Sequence, residues 1–169
     1  KMDDYLPHYD ADAPSLYLEP EEDGLDTPAE EFKAPQCQGV EFSELLTYYV
    51  DDKSEQFIEF FNPTSAPINL TGCDLSYKSK TYPLSGTVSA GGYYAFPSSK
   101  LFSLTKNPKN PLTLTIIDAD GTAVDEMAYP NGQKKSTSYA RIFDESGHDS
   151  WQITYAITPG SENVYQKYR

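Results

Sequence analysis

The chain changes character near residue 37, where short runs of alternating apolar and polar residues begin. These runs are separated by Gly, Pro, Asn and Asp, and their two-residue period is typical of half-buried β-strands. The clearest run is Leu-Thr-Leu-Thr-Ile-Ile at 112–117, and Asp120-Gly121 predicts a hairpin turn from it into 123–129. Apart from one expected helical turn between Ser98 and Pro111, no helical period occurs. The pattern therefore predicts an all-β sandwich or barrel.

The other predicted strands rest on the same alternation. They lie near residues 40–46, 55–61, 68–75, 82–84, 93–96, 139–143 and 151–155. In the second of these runs, Ile58 and Phe60 point to one face, and Glu59 lies between them on the other. An acidic residue is thus expected within an otherwise apolar strand.

Residues 1–37 have a different composition, with eleven acidic residues, five prolines and no apolar period. Such a segment buries too little apolar surface to offset its ordering entropy. We therefore expect an irregular acidic, Pro-rich arm or linker that is mobile at least through Glu31. The alternative is that its apolar residues dock on a partner or on the domain. These are Tyr5, Leu6, Tyr9, Leu16, Tyr17 and Leu18.

The chain is strongly acidic, with 26 Asp and Glu against 13 Lys and Arg and a net charge of -13. This field repels phosphates and anionic lipid surfaces, so nucleic-acid binding is disfavoured. The best candidate for a local basic patch is Lys134-Lys135, with Arg141 nearby in sequence. No transmembrane segment is predicted. Because Lys1 precedes Met2, we expect a fragment of a longer protein.

Several motifs, in order, resemble lamin-tail domains. They are Val-Glu-Phe-Ser-Glu-Leu at 40–45, Phe-Ile-Glu-Phe-Phe-Asn-Pro at 57–63, Ile-Asn-Leu-Thr-Gly-Cys-Asp-Leu at 68–75, Gly91-Gly92-Tyr93, the hairpin at 118–122, Val124-Asp125, Tyr129-Pro130, Trp151 and Thr-Pro-Gly-Ser-Glu-Asn at 158–163. The likeness spans residues 38–163, and residues 164–169 are expected to be a C-terminal extension into a missing flank. The ending motif and the acidic arm resemble bacterial secreted or envelope-associated members.

The resemblance implies an immunoglobulin-like β-sandwich whose motif residues are structural. These are Glu44, Glu59, Asn62, Gly72, Asp120, Gly121, Trp151, Pro159, Gly160 and Asn163. It implies no enzyme and no cofactor, but a structural or interaction module of a secreted or cell-envelope bacterial protein that contacts an unknown protein or glycan. Two alternatives stay open: an accessory domain that positions a nuclease or hydrolase, and nucleic-acid binding as in lamin tails.

The two cysteines, Cys37 and Cys73, allow three interpretations: free buried thiols, a disulfide, or half of a metal site. No His or other Cys lies at ligand spacing, so a zinc site is disfavoured. Cys73 stands where the family often has Trp. Because the resemblance also implies an oxidising compartment, it favours a disulfide between Cys37 and Cys73.

Three patterns suggest chemistry but have simpler interpretations. Glu44 and Glu59 form a candidate acid–base pair, yet we expect Glu59 to accept hydrogen bonds from backbone or from a hydroxyl such as Ser43. Asp118 to Gly121 resembles the start of a calcium loop without its downstream glutamate, so a hairpin is expected and a metal is not. Ser146, His148 and Asp149 are sequence neighbours, which are not expected to converge as a catalytic triad.

Aromatic residues supply the candidate contact surface. Tyr48-Tyr49 and Tyr93-Tyr94 are pairs of strand neighbours, so one ring of each pair is expected to face solvent. Exposed tyrosines are frequent in recognition surfaces. Trp151, by contrast, is expected in the core.

Overall fold

The structure is a computed structural model that describes residues 36–48 and 56–167. Its strands are β1 (Glu41–Leu46), β2 (Phe57–Phe61), β3 (Ile68–Asn69), β4 (Asp74–Tyr77), β5 (Lys80–Pro83), β6 (Thr87–Val88), β7 (Tyr93–Phe96), β8 (Leu112–Ile117), β9 (Ala123–Tyr129), β10 (Ser138–Phe143) and β11 (Asp149–Thr154). A single 3₁₀ turn, Ser98–Lys100, follows β7. The arm predicted at residues 1–37 lies, except for Gln36 and Cys37, outside the described residues.

The strands form antiparallel sheets, as predicted for an all-β sandwich. One sheet has the order β11-β10-β1-β2-β7 and another the order β5-β4-β8-β9, while β3 and β6 form a short ribbon. Hairpins connect β4 to β5, β8 to β9 and β10 to β11. In the described residues, no helix is long and apolar enough to cross a bilayer.

The core lies between the facing sides of the two larger sheets. Phe42 and Phe60 face each other across β1 and β2, with ring centroids 5.6 Å apart. Leu75, Leu114 and Ile116 from the four-stranded sheet belong to the same buried cluster, and each of these three is fully buried. Burying a side chain of this size contributes roughly 1.5–3 kcal/mol, so this cluster supplies most of the stability.

A β-bulge in β1 decides which residues of that strand reach the core. The register with β2 shifts between Phe42 and Glu44, which leaves Ser43 as the extra residue. Strict alternation would place Phe42 and Glu44 on the same face. Because of the bulge, Phe42 and Leu45 face the core and Glu44 faces the opposite side of the sheet, paired with Glu59.

The predicted disulfide is confirmed. Cys37 and Cys73 are bonded, with Cα atoms 6.7 Å apart, and both residues are buried. The bond joins the chain just before β1 to the turn just before β4. It therefore ties the residues before β1, in the five-stranded sheet, to the residues before β4, in the four-stranded sheet.

Candidate functional site

The centre of the candidate site is a pair of carboxylates on the outer face of the five-stranded sheet. Glu44 in β1 and Glu59 in β2 are cross-strand partners, and both are fully buried. Carboxylates are almost never fully buried unless hydrogen bonds or charges satisfy them. The pair therefore depends on what covers it.

The cover is the segment from Thr158 to Asn163, which we call the C-terminal strap. Its Thr158 backbone N–H donates to Glu44 Oε2 at 3.2 Å, and the Thr158 hydroxyl donates to the same oxygen at 3.2 Å. The Gly160 N–H donates to Glu59 Oε2 at 2.6 Å. Gly160 has φ of +79°, a conformation that glycine adopts without strain. Each carboxylate thus holds one backbone N–H of the strap.

Two serines complete the coordination of the carboxylates. Ser43, the bulge residue, donates its hydroxyl to Glu59 Oε1 at 3.0 Å, which is the acceptor role expected for Glu59. Ser138 at the start of β10 donates its hydroxyl to Glu44 Oε1. The two carboxylates therefore accept bonds from β1, β10 and the strap.

Asn163 locks the far end of the strap. Its side-chain amide donates to the Ser43 carbonyl at 3.0 Å, to Ser43 Oγ at 2.8 Å and to the Arg141 carbonyl at 3.1 Å. Its Oδ1 accepts the Thr158 hydroxyl at 2.8 Å, although that hydroxyl also faces Glu44. Pro159, between Thr158 and Gly160, is exposed and makes no such bond. Asn163 thus joins the end of the strap both to its first residue, Thr158, and to the bulge residue Ser43.

Burial shifts the acidity of both carboxyl groups. Desolvation raises the pKa of Glu44 above its usual value of 4.5. Desolvation, aided by the nearby Glu44 charge, raises the pKa of Glu59 to about 7 against the opposing Gly160 bond. The pair therefore carries less negative charge near neutral pH than two exposed carboxylates would. Chemically, it serves as an acceptor cluster beneath the strap.

Two other motif residues, Asn62 and Gly72, organise turns. Asn62 is fully buried, donates to the Ala66 and Val88 carbonyls, and accepts the Thr64 N–H. Gly72 has φ of +94°, and a Cβ there would come within 2.1 Å of the Gln36 side chain.

The hairpin residues have the structural role that the sequence predicted. Asp118 Oδ1 accepts the Asp120 and Thr122 N–H groups, and the Gly121 N–H donates to the Asp118 carbonyl. No group of three His, Cys, Asp or Glu residues in the described part of the chain is arranged to hold a metal ion.

Trp151 lies at the margin of the core and not inside it. It is half-buried because β11 is an edge strand, and its ring stacks on Tyr139 with centroids 5.2 Å apart. Beside it, Arg141 forms ion pairs with Glu41 and Asp149 in a polar cleft of about 190 Å³. The charge of Arg141 is therefore paired with two carboxylates, which reduces what it can add to a basic patch with Lys134-Lys135.

The tyrosine contact surface stays a prediction, and the structure leaves both Tyr93 and Tyr94 half-buried. Tyr93 stacks on Phe61 at a centroid distance of 4.7 Å. Tyr94 lies against Gly86, where a Cβ would come within 2.7 Å of its ring. Tyr48 is also half-buried and its hydroxyl accepts the Asn107 amide, while Tyr49 lies outside the described residues. Of these three rings, Tyr93 is the one that stacks on another aromatic side chain.

The β10–β11 turn brings Ser146 and His148 together with Asp144, and not with Asp149. The Ser146 hydroxyl lies 2.7 Å from His148 Nδ1 and 2.7 Å from Asp144 Oδ1. A catalytic triad needs the serine and the carboxylate on opposite ring nitrogens. Here the Asp144 carboxylate approaches the same nitrogen, at 3.8 Å, and the His148 side chain is 85% exposed. The cluster is a turn cap, since Asp144 Oδ1 also accepts the Ser146 and His148 N–H groups.

Sequence reasoning missed the partners that fix the carboxylates, namely Ser138 and Thr158. It also missed that four further exposed lysines, Lys78, Lys80, Lys106 and Lys109, lie at the same end of the sandwich as Lys134-Lys135. Only the combination of strand order with loop position places these groups together.

Compared with known proteins, the chain matches no family model, no curated protein and no solved structure.

Proposed function

We propose that this chain is a non-catalytic structural or interaction module of a secreted or cell-envelope protein, of the immunoglobulin-like, lamin-tail kind. The observation that carries the proposal is the sealing of Glu44 and Glu59 beneath the strap. An acid–base pair must reach a substrate proton within hydrogen-bond distance. The oxygens of these two carboxylates instead accept hydrogen bonds from Ser43, Ser138 and the strap.

The disulfide supports the extracellular part of the proposal. Cysteine pairs persist in oxidising compartments and are rare where glutathione keeps thiols reduced. Cys37 and Cys73 are both buried and bonded to each other. In a reducing compartment the bond would not persist, and small apolar residues would fill the same space. The bacterial origin rests on the resemblance of the 158–163 motif.

The test combines thiol labelling with a nuclease assay, because a nuclease is the rival activity. In protein exported to an oxidising compartment, both cysteines should resist alkylation until a reductant is added. Supercoiled plasmid incubated with the same sample and Mg²⁺ should stay intact. Two alkylatable thiols, or plasmid cleavage that Glu59→Gln abolishes, would overturn the proposal.

A further inference from the structure

One end of the sandwich carries a set of exposed lysines, which we call the lysine end. They are Lys78, Lys80, Lys106, Lys109, Lys134 and Lys135. They come from three separate segments: the β4–β5 hairpin, the loop that leads into β8, and the loop that joins β9 to β10. Their grouping is therefore a product of the fold and not of one basic run.

Strand register places the three segments at the same end. Tyr77, the last residue of β4, pairs with Leu114 near the start of β8. Leu112, the first residue of β8, pairs with Tyr129, the last residue of β9. The β4–β5 hairpin, the loop before β8 and the loop after β9 thus leave the four-stranded sheet from one edge.

Hydrogen bonds tie these loops to one another. The Tyr77 hydroxyl accepts the Thr105 N–H at 3.0 Å, and Lys78 Nζ donates to the Thr105 hydroxyl. The Thr47 hydroxyl donates to Gln133 at 3.0 Å, immediately before Lys134-Lys135.

Two further contacts extend this network to Lys106. Gln56 donates to the carbonyls of Thr47 and Leu104. The Lys106 ammonium lies 5.4 Å from the centre of the Tyr48 ring. The lysine end is a fixed surface, since its loops share bonds.

Among the described residues, the local charge at this end is opposite in sign to the net charge of the whole chain. In the described residues of its loops, 47–48, 78–80, 102–111 and 130–137, there is no Asp or Glu. The acidic turn residues Asp118, Asp120, Asp144 and Glu145 belong to loops at the other ends of β8 and β10. Because charges are screened within about 8 Å at physiological salt, a ligand at the lysine end experiences mainly the lysines.

We propose that the lysine end is the docking surface for an acidic peptide segment of a partner protein. This deepens the proposed interaction role and rests on it. All six residues are lysines, which attract carboxylates as point charges, whereas the planar fork of arginine is suited to phosphate. The one described arginine, Arg141, is already paired in the five-stranded sheet.

The size of the partner follows from the rest of the chain. The net charge of -13 includes -9 from residues 1–36, which leaves -4 for residues 37–169. A long, stiff polyanion such as duplex DNA extends beyond the lysine end and meets that acidic field. A short acidic peptide contacts the lysines alone, so the charge distribution favours it.

The direct test titrates the full chain with a fluorescent deca-glutamate peptide at about 50 and about 150 mM salt. Binding should weaken with salt, and Lys134→Glu with Lys135→Glu should weaken it at least about tenfold, since two attractive contacts become repulsive. The matched control is Lys100→Glu with Lys167→Glu. It changes the net charge by the same amount at two exposed lysines that are not among the six.

Three results would overturn the inference. One is no detectable peptide binding at about 50 mM salt. Another is equal loss in the test and control variants, which shows that only net charge matters. The third is tighter binding of a 12-base-pair duplex or a sulfated oligosaccharide than of the peptide. None of these results bears on thiol status or plasmid cleavage, so they leave the proposed module role standing.

A supporting variant uses charges next to the lysine end in sequence. The link between Tyr48 and Gln56 lies outside the described residues and contains Asp51 and Asp52. Asp51→Asn with Asp52→Asn should tighten peptide binding, because it removes two negative charges from the chain next to the lysine end in sequence. Weaker binding by this variant would contradict the electrostatic basis of the inference.

Discussion

At the scale of single residues, Glu59 has an environment far from that of an exposed carboxylate. It is fully buried, faces another carboxylate, and has a pKa of about 7 instead of 4.5. A raised carboxyl pKa means that the folded state holds a proton that the unfolded chain has released. The contribution of Glu59 to stability is therefore present below pH 4.5 and is lost as the pH rises through 7.

The first prediction concerns this pH dependence. From pH 5 to pH 8 the free energy of unfolding should fall by up to about 3 kcal/mol, because the shift of Glu59 is between two and three pKa units. Glu59→Gln keeps an acceptor for Gly160 and carries no titrating proton, so it should flatten the slope. Urea unfolding at several pH values measures this.

The control for that experiment is Glu145→Gln in the exposed β10–β11 turn. It should leave the slope as it is in the parent chain. If stability rose from pH 5 to pH 8 in the parent chain, or if Glu59→Gln left the slope unchanged, the assignment of the proton to Glu59 would be wrong.

Much of this residue-level picture follows from the sequence. A glutamate within an apolar strand predicted a carboxylate that accepts hydrogen bonds, and the resemblance to lamin-tail domains, which often have Trp where this chain has Cys73, favoured a disulfide. The partial burial of the tyrosines could not be predicted from the sequence. Alternation indicates which face of the sheet a ring lies on, but not which side chains pack against that ring. Phe61 is beside Tyr93 only through strand pairing.

At the scale of elements, the C-terminal strap acts as a third layer over part of the five-stranded sheet. It contributes no strand of its own, and its order depends on the bonds to Glu44, Glu59 and Ser43. Removing one partner of a buried hydrogen bond costs about 1–3 kcal/mol, because the other partner stays buried and unpaired.

The second prediction tests the strap. Asn163→Ala removes the amide that bonds the Ser43 and Arg141 carbonyls, so it should lower the free energy of unfolding by about 2–3 kcal/mol. Hydrogen exchange at the Gly160 N–H should accelerate. The neighbouring Glu162→Ala, at an exposed position, should change neither quantity. Equal effects of the two substitutions would show that Asn163 does not anchor the strap.

Element positions were predicted well where alternation is uninterrupted and poorly where it breaks. Residues 112–117 are β8 as expected, whereas the run predicted at 82–84 is displaced to Lys80–Pro83. The bulge at Ser43 has no signature in single-sequence alternation, since it depends on the register with β2. The cover over Glu44 and Glu59 was equally invisible, because their strap donors are about 100 residues away or more.

At the scale of the whole molecule, one covalent bond links the two larger sheets. The Cys37–Cys73 bond closes a loop of 36 residues that contains β1, β2 and β3. In the chain-entropy model, such a loop stabilises the fold by about 4 kcal/mol, since it restricts the unfolded chain.

The third prediction follows from that loop. Cys37→Ser with Cys73→Ser should lower the free energy of unfolding by about 3–4 kcal/mol at neutral pH, and a reductant should do the same to the parent chain. Denaturant unfolding with and without reductant measures both. A reductant effect on the double variant would show that the loss has another origin.

The strap has a consequence for the order in which this protein completes its fold. Thr158 reaches Glu44 across 114 residues, and Gly160 reaches Glu59 across 101. During synthesis, the strands around the bulge emerge long before the segment that seals them. Contacts of such separation slow folding, because the chain must close a long loop before it gains their energy. Until Asn163 leaves the ribosome or the translocation channel, the two glutamates stay open to water, so the domain finishes folding only after its last turn is released.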